Sequence, residues 1–229
     1  MLSSNLLEGT TDQIAEISAE DFHAIFPTGE FDSIEPPLDN DKHRRQIDLL
    51  IRLLEYYWRD RNDFYVSGNL TIFYSATQKK STEFRGPDFF VVLGTEKRDR
   101  KSWVVWQEGG KYPNLIIEFL SESTADVDRV EKKQIYQDIF RTPEYFWFDT
   151  ETMEFQGFRL TGGKYQPITP NSQGWLWSEE LGLYLGIYAE QLRLFSSNQK
   201  LILLPDEELQ IIKDYVRSLG IDPNQILNQ

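Results

Sequence analysis

Cysteine is absent from this 229-residue chain, and histidine occurs only twice. A chain without thiols has no disulfide bonds and no thiolate metal sites, and such a composition fits a reducing compartment. No stretch approaches the roughly 20 apolar residues that a membrane-spanning helix requires. The first 20 residues also lack the basic start and apolar centre of a signal peptide. The sequence therefore predicts a soluble cytoplasmic protein with no membrane partner.

A positive net charge is also missing, since the chain carries a formal charge of −13 at pH 7. This excess argues against generic binding of nucleic acid, whose phosphates would be repelled. The charge is unevenly placed, however. The segment from Lys79 to Lys133 has 11 Lys and Arg against 10 Asp and Glu, so the excess acidity lies outside it. The uneven distribution therefore weakens the objection to nucleic-acid binding but does not remove it.

The residues that are present predict a folded core, because 40% of the chain is apolar and 14% aromatic. We expect one main domain over residues 39–195, with an N-terminal arm over 1–38 and a C-terminal helix within 196–229. Apolar periodicity and turn residues predict the elements. The predicted helices cover 18–26, 40–59, 128–140 and 205–219, and the predicted strands cover 64–66, 70–74, 89–93, 103–106, 115–120, 145–148, 154–160 and 164–168. The first two strands are interpreted as a hairpin, and the last two as part of an antiparallel meander. Together they indicate an α/β fold with a mixed central sheet flanked by helices.

Two acidic residues stand beside apolar strands that should exclude water. Asp88 precedes Phe89–Leu93, and Glu118 lies inside Leu115–Leu120. A hard cation such as Mg²⁺ takes carboxylate oxygens as ligands, so the two acids are candidate metal ligands. The alternatives are a structural ion pair between Glu118 and Lys132, and a turn or strand-start role for Asp88. On the helix that follows, Lys132 and Tyr136 share one face, while Lys133 points elsewhere.

Four motifs in this region occur together in a known family. They are Pro87-Asp88, the strand Leu-Ile-Ile-Glu-Phe-Leu-Ser over 115–121, the pattern Asp-x-x-x-Lys-x-x-x-Tyr over 128–136, and Pro-Glu-Tyr-Phe-Trp-Phe-Asp over 143–149. Over residues 40–170 the chain resembles the Uma family of restriction-endonuclease-like proteins, in the PD-(D/E)XK nuclease superfamily. The resemblance implies a restriction-endonuclease-like core with a β-meander extension. It also implies a Mg²⁺ site, with Mn²⁺ as the alternative ion, formed by Asp88, Glu118 and the carbonyl of Phe119.

The chain departs from the superfamily signature at one position. The lysine expected two residues after the glutamate is replaced by Leu120, and the resemblance implies that Lys132 takes over its role. The implied function is Mg²⁺-dependent hydrolysis of DNA phosphodiester bonds by a PD-(D/E)XK-type endonuclease. The residues with predicted roles are Asp88, Glu118 and Lys132 in catalysis, Arg85 and Lys133 in substrate binding, and Tyr136 and His43 as further candidates.

Other functions stay open on the sequence alone. The acidic surface and the missing lysine favour a catalytically inactive nuclease fold that acts as an interaction protein. Action on RNA, or on a nucleic acid held by a partner protein, is a third hypothesis. A homodimer is compatible with the sequence, and the helix over residues 40–59 is a candidate interface.

Overall fold

The long amphipathic segment forms helix α1, Asp41–Tyr57. In the computed structural model, which describes residues 29–35, 41–75, 84–120 and 128–223, this helix buries Ile47, Leu50 and Leu54 against the sheet. Those positions recur at intervals of three and four residues, so one face of the helix is apolar. The prediction of a helix over 40–59 is confirmed to within two residues at its C-terminal end.

Twelve strands and two further helical segments complete the described fold. The strands are β1 Phe64–Ser67, β2 Ile72–Phe73, β3 Phe84–Arg85, β4 Phe89–Leu93, β5 Trp103–Val104, β6 Leu115–Leu120, β7 Glu144–Asp149, β8 Phe155–Thr161, β9 Lys164–Pro167, β10 Leu176–Ser178, β11 Leu183–Tyr188 and β12 Gln191–Phe195. Helix α2 is wound as π-helical turns, Asp128–Lys132 and Tyr136–Phe140, around one α-helical turn, Lys133–Ile135. Helix α3 is Pro205–Ser218.

The main sheet has six strands in the order β1-β4-β6-β7-β8-β9. Only β6 and β7 run parallel, and α2 makes the crossover between them. The other neighbours are antiparallel, so the sheet is mixed. The predicted α/β fold is therefore confirmed, together with the meander of β7, β8 and β9. Two small sheets, β10-β11-β12 and β3-β2-β5, stand beside the main one.

Strand β6 is buried along its whole length, as the apolar run predicts. Its odd-numbered residues Leu115, Ile117 and Phe119 pack into a core with α1 and the sheet β10-β11-β12. Its even-numbered residues Ile116 and Leu120 pack into a second core on the opposite face, where α2 contributes aromatic rings. Because side chains alternate along a strand, Glu118 must belong to the face that α2 covers.

The predicted hairpin of residues 64–66 and 70–74 is wrong. Strand β1 pairs with β4, whereas β2 pairs with β3 and β5 in a separate sheet. The backbone N–H of Asn69 lies against the carbonyls of Pro87 and Asp88, at 3.1 and 3.2 Å, and so cannot close a turn between β1 and β2. The turn residues Ser67-Gly68-Asn69 instead carry the chain from one sheet to the other.

The remaining predicted helices and strands have bounds close to those in the structure, except for one that lies outside the described residues. The helix predicted at 18–26 lies in a part of the chain that the structure does not describe. The predicted strand at 103–106 is shorter, because residues 105–110 form turns. None of the helices within the described ranges is long and apolar enough to cross a membrane.

Candidate active site

Strand register brings Asp88 and Glu118 together. Strands β4 and β6 pair antiparallel with Phe89 opposite Ile117 and Phe90 opposite Ile116. One step before the Phe89–Ile117 pair, the same register sets Asp88 opposite Glu118. Phe90 belongs to the same core as Ile116, so Asp88, two positions before Phe90, projects toward the face that also carries Glu118.

The two acids are linked through each other's backbone. The backbone N–H of Phe119 donates to Oδ2 of Asp88 at 2.7 Å, and the backbone N–H of Asp88 donates to Oε2 of Glu118 at 3.3 Å. Each carboxylate is thus oriented by an amide that belongs to the other strand. Hydrogen bonds from amides to a carboxylate stabilise its charged form, so the arrangement holds two negative groups side by side.

Helix α2 supplies the groups that balance this charge. Lys132 Nζ lies 3.1 Å from Glu118 Oε2, and the Tyr136 hydroxyl donates to Glu118 Oε1 at 2.6 Å. Glu118 is fully buried, whereas 22% of the Lys132 side chain is exposed, so the lysine stands at the solvent side of the site. Lys132 and Tyr136 therefore share one face of α2, as their spacing predicts. Without these partners, the charge of the buried glutamate would lower the free energy of unfolding by about several kcal/mol, which is the usual penalty for burying an ion.

A third carboxylate, Glu35, lies close enough to interact electrostatically with this group. Burial raises its pKa and the negative charge of Asp88 raises it further, while a hydrogen bond from Thr71 and the charges of Lys132 and Arg85 lower it. Its Oε1 accepts the Thr71 hydroxyl at 3.1 Å. Among the described residues, three acids, Asp88, Glu118 and Glu35, thus interact with two cations, Lys132 and Arg85.

The segment that carries Glu35 is fixed on the buried side chain of Thr71. Ser33 Oγ lies 3.1 Å from Thr71 Oγ1, and the backbone N–H of Ile34 donates to the same oxygen at 2.9 Å. On its other side, the carboxylate of Glu35 lies against the α-carbon of Gly86, where any added Cβ would collide with it. Sequence reasoning missed Glu35. The signals that could have found it are the stiff Pro36-Pro37 that follows and a glycine two residues before Asp88.

Comparison with known proteins identifies the family to which the chain belongs. A family model described as "Uma2: Putative restriction endonuclease" matches residues 12–193, which is more than half of the chain and includes every site residue named above. The chain belongs to the Uma2 family. The resemblance seen in the four sequence motifs is thereby confirmed, and the family description supports a nuclease function.

Among the solved structures similar to this Uma2 chain is a putative nuclease belonging to DUF820 from Anabaena variabilis. The match has 10% sequence identity and a TM-score of 0.47, and it covers 64% of this chain and 76% of the other. A similarity of this size does not by itself indicate a shared function. No curated protein matches the chain.

The donor atoms of the Uma2 site fit a hard cation in their chemistry. Mg²⁺ is usually held by one or two carboxylates, with water and phosphate oxygens completing its shell, and Asp88 and Glu118 supply that number. Within residues 29–35, 41–75, 84–120 and 128–223, no three His, Asp or Glu side chains are grouped so that they could hold an ion by themselves. Asp88 and Glu118 are therefore the residues here that could hold an ion. The Phe119 carbonyl remains the predicted third ligand.

The two predicted substrate-binding residues, Arg85 and Lys133, lie in different parts of the fold. Arg85 lies on β3, where its guanidinium donates to the Phe84 carbonyl at 2.7 Å and its charge reaches Glu35. Lys133 lies with its ammonium 3.3 Å from the ring centre of Phe158, and burial lowers its pKa. Because Phe158 is on β8, two strands away from β6, the structure does not bring Lys133 to the carboxylates.

The last candidate, His43, lies on the other side of the sheet. It is buried on α1, with its ring centre 6.4 Å from that of Phe119. Phe119 belongs to the core opposite the one that faces Glu118. The fold therefore separates His43 from the carboxylates, whereas Tyr136, the other further candidate, contacts Glu118 directly.

Proposed function

We propose that this protein is a Mg²⁺-dependent endonuclease that hydrolyses phosphodiester bonds in DNA, with Mn²⁺ as a possible replacement ion. Asp88 and Glu118 would hold the ion, with the carbonyl of Phe119 as a third ligand. A bound Mg²⁺ would polarise the scissile phosphate and lower the pKa of the attacking water. The observation that carries the proposal is the pairing of two carboxylates across β4 and β6 beside a partly exposed lysine.

The other groups have roles that follow from their contacts. Lys132 holds Glu118 in place and, at the solvent side, can offset negative charge that builds up on the phosphate. Tyr136 fixes the other oxygen of Glu118, so the carboxylate cannot rotate away from Asp88. The charges of the segment from Lys79 to Lys133 nearly cancel, so this segment repels DNA less than an even spread of the net charge of −13 would.

The test is a nicking assay on supercoiled plasmid with Mg²⁺, combined with the melting temperature of each variant. We expect Asp88→Asn to abolish cleavage. Lys132→Met should lower the rate by about 100-fold, the usual effect of removing one electrostatic stabiliser of a transition state. Lys133→Met removes the neighbouring lysine and serves as the matched control, which should cut like the natural protein. Cleavage by Asp88→Asn at the natural rate would show that the site is wrongly assigned.

An inactive interaction protein with a nuclease fold is the second candidate, and one observation favours it. Both oxygens of Glu118 already have protein partners, Tyr136 and Lys132, as in a structural ion pair. Under this hypothesis, calorimetry with Mg²⁺ or Mn²⁺ at millimolar concentration would detect no binding, and Glu118→Ala would chiefly lower the melting temperature. Cleavage of single-stranded RNA instead of plasmid DNA would keep the site and change the substrate.

A further inference from the structure

Helix α2 brings its lysine to the same carboxylate that is proposed to hold the ion. Lys132 Nζ lies 3.1 Å from Oε2 of Glu118, and the backbone N–H of Asp88 approaches the same oxygen at 3.3 Å. The Tyr136 hydroxyl donates to Oε1 of Glu118 at 2.6 Å. A carboxylate oxygen has about two lone pairs, so two donors already occupy Oε2. A cation that uses this oxygen therefore has to compete with the ammonium group of Lys132.

Among these three donors, the ammonium group is the one that can leave Glu118 without a change in the fold. The N–H of Asp88 belongs to the backbone beside β4. The ring of Tyr136 is fully buried in the aromatic core. The side chain of Lys132 is 22% exposed, and its charge stands at the end of a flexible four-carbon stem. Rotation of this stem moves the charge and leaves β4, β6 and α2 in place.

Glu35 offers the ammonium group a second carboxylate in the same neighbourhood. The charges of Lys132 and Asp88 both act on Glu35. The hydrogen bond from the Thr71 hydroxyl to Oε1 of Glu35, at 3.1 Å, orients this carboxylate independently of the lysine. A lysine that leaves Glu118 therefore stays close to a negative charge, which lowers the free-energy cost of its movement.

We infer that Lys132 is an exchangeable cation, which neutralises Glu118 when no ion is bound and moves toward Glu35 when Asp88 and Glu118 bind a divalent ion. The inference rests on the ion site of the proposed function and adds a second position for the lysine. In each state the buried Glu118 has one cation beside it, whereas two cations on the same oxygen would repel each other. The lysine remains at the solvent side of the site, where a phosphate would approach.

The test is calorimetry of the full chain with Mn²⁺ alone, without DNA. We expect Lys132→Met to bind Mn²⁺ at least about tenfold more tightly than the natural protein, because a competing charge is removed. Lys132→Arg keeps that charge and should bind Mn²⁺ as weakly as the natural protein does. The matched control is Lys133→Met, which removes the ammonium group over the ring of Phe158. This control should leave the affinity for Mn²⁺ unchanged.

Melting temperatures provide a second measurement on the same proteins. Lys132→Met leaves Glu118 without this cation, so the variant should melt below the natural protein when Mn²⁺ is absent. Tighter binding should also make Mn²⁺ raise the melting temperature of Lys132→Met more than that of the natural protein. If Lys132→Met does not fold without the ion, Lys132→Gln takes its place, because the amide keeps a hydrogen-bond donor near Glu118.

Glu35→Gln tests the second position of the lysine. It should weaken Mn²⁺ binding more in the natural chain than in Lys132→Met, because only the natural chain has an ammonium group that moves toward Glu35. Equal weakening in both chains would overturn the role of Glu35.

The inference as a whole is overturned if Lys132→Met binds Mn²⁺ no more tightly than Lys133→Met. The proposed nuclease function would survive that result if the natural protein still bound Mn²⁺ and cleaved DNA. Conversely, tighter binding by Lys132→Met together with no DNA cleavage by the natural protein would support the exchange of cations and contradict the nuclease function.

Discussion

Two buried glutamates on neighbouring parallel strands have different surroundings. Glu118 on β6 is fully buried and Glu144 on β7 is 1% exposed, so both should be costly to keep charged. Glu118 has a second carboxylate, Asp88, across the strand pair, and its cation is Lys132. Glu144 is surrounded by donors only. Under the proposed function, the comparison is between a carboxylate that binds an ion and one that has a structural role.

The donors around Glu144 satisfy both of its oxygens. Arg159 contacts Oε1 through two nitrogens at 3.0 and 3.1 Å, the backbone N–H of Glu179 donates to Oε1 at 2.9 Å, and the Ser178 hydroxyl donates to Oε2. Burial raises the pKa of Glu144, while these hydrogen bonds and the charge of Arg159 oppose that shift. This network ties the start of β7 to β8 and to the end of β10. These hydrogen bonds and the ion pair are contacts of a structural residue that joins three strands.

The strongest test of the comparison exchanges each glutamate for its neutral isostere. We expect Glu118→Gln to lower Mg²⁺-dependent cleavage by at least about 100-fold, because a ligand charge is lost at the site. Glu144→Gln should instead keep its activity and lose about 1–3 kcal/mol of unfolding free energy, the usual effect of disturbing a buried hydrogen-bond network. Urea unfolding and plasmid nicking measure the two effects.

The two variants serve as controls for each other. If Glu144→Gln lost cleavage with its stability intact, or Glu118→Gln lost stability with its cleavage intact, the assignment of roles would be reversed.

Regular elements impose simple rules that orient Glu118, Lys132 and Tyr136, whereas the pairing of Asp88 with Glu118 was implied by the family resemblance. Alternation along β6 sets the face of Glu118, and helical spacing sets the common face of Lys132 and Tyr136. These rules do not depend on distant parts of the chain. The register of β4 against β6, which completes the pairing of the two acids, is visible only in the fold.

The second test compares two glycines at which a methyl group has no room. A Cβ at Gly68 would collide with the Asp88 carbonyl and Ile47, and a Cβ at Gly157 would collide with the ring of Phe146. We expect Gly68→Ala and Gly157→Ala each to cost about 1–3 kcal/mol of unfolding free energy, as overpacking usually does. Only Gly68→Ala should also lower cleavage, because it displaces the backbone that positions Asp88.

Both variants are assayed at a temperature at which both remain folded, so that stability and activity are separated. Equal cleavage by the two would show that the chain near Gly68 does not position the site.

The same glycine explains why the hairpin prediction was wrong. Gly68 and Asn69 have the residue types of a turn, and a local rule interprets them as one. The fold uses Gly68 for a close approach to Asp88 instead, and tertiary contact overrides the local signal. Glu35 was missed for a related reason. It lies in an irregular segment more than 50 residues before Asp88 in the sequence, where no periodicity indicates which way a side chain faces.

The smallest expected effect concerns Glu35. Its negative charge lies near Asp88 and Lys132, and its burial lowers the free energy of unfolding when the carboxylate is charged. Burial raises its pKa in the folded state above the value of 4.5 that an unperturbed glutamate has. Below that unfolded value both states are protonated and Glu35 does not lower stability. As the pH rises through the folded pKa, Glu35 loses its proton in the folded state as well. The free energy of unfolding falls over this range, because the charged carboxylate is less stable in the folded protein than in the unfolded chain. Glu35→Gln should therefore be more stable than the natural protein at neutral pH, and this difference should vanish near pH 4.

Urea unfolding of both proteins between pH 4 and pH 8 measures this difference directly, since every other titrating group is common to them. Gly86→Ala is the companion variant, because it displaces the Glu35 carboxylate without removing its charge. We expect both variants to cleave more slowly, as an acid near Asp88 and Lys132 is lost or moved. A stability difference that is constant with pH would mean that Glu35 titrates alike in the folded and unfolded states. The Glu35 carboxylate would then be solvated in the folded protein, as the carboxylates of exposed surface acids are. It would not share the buried environment of Asp88 and Glu118.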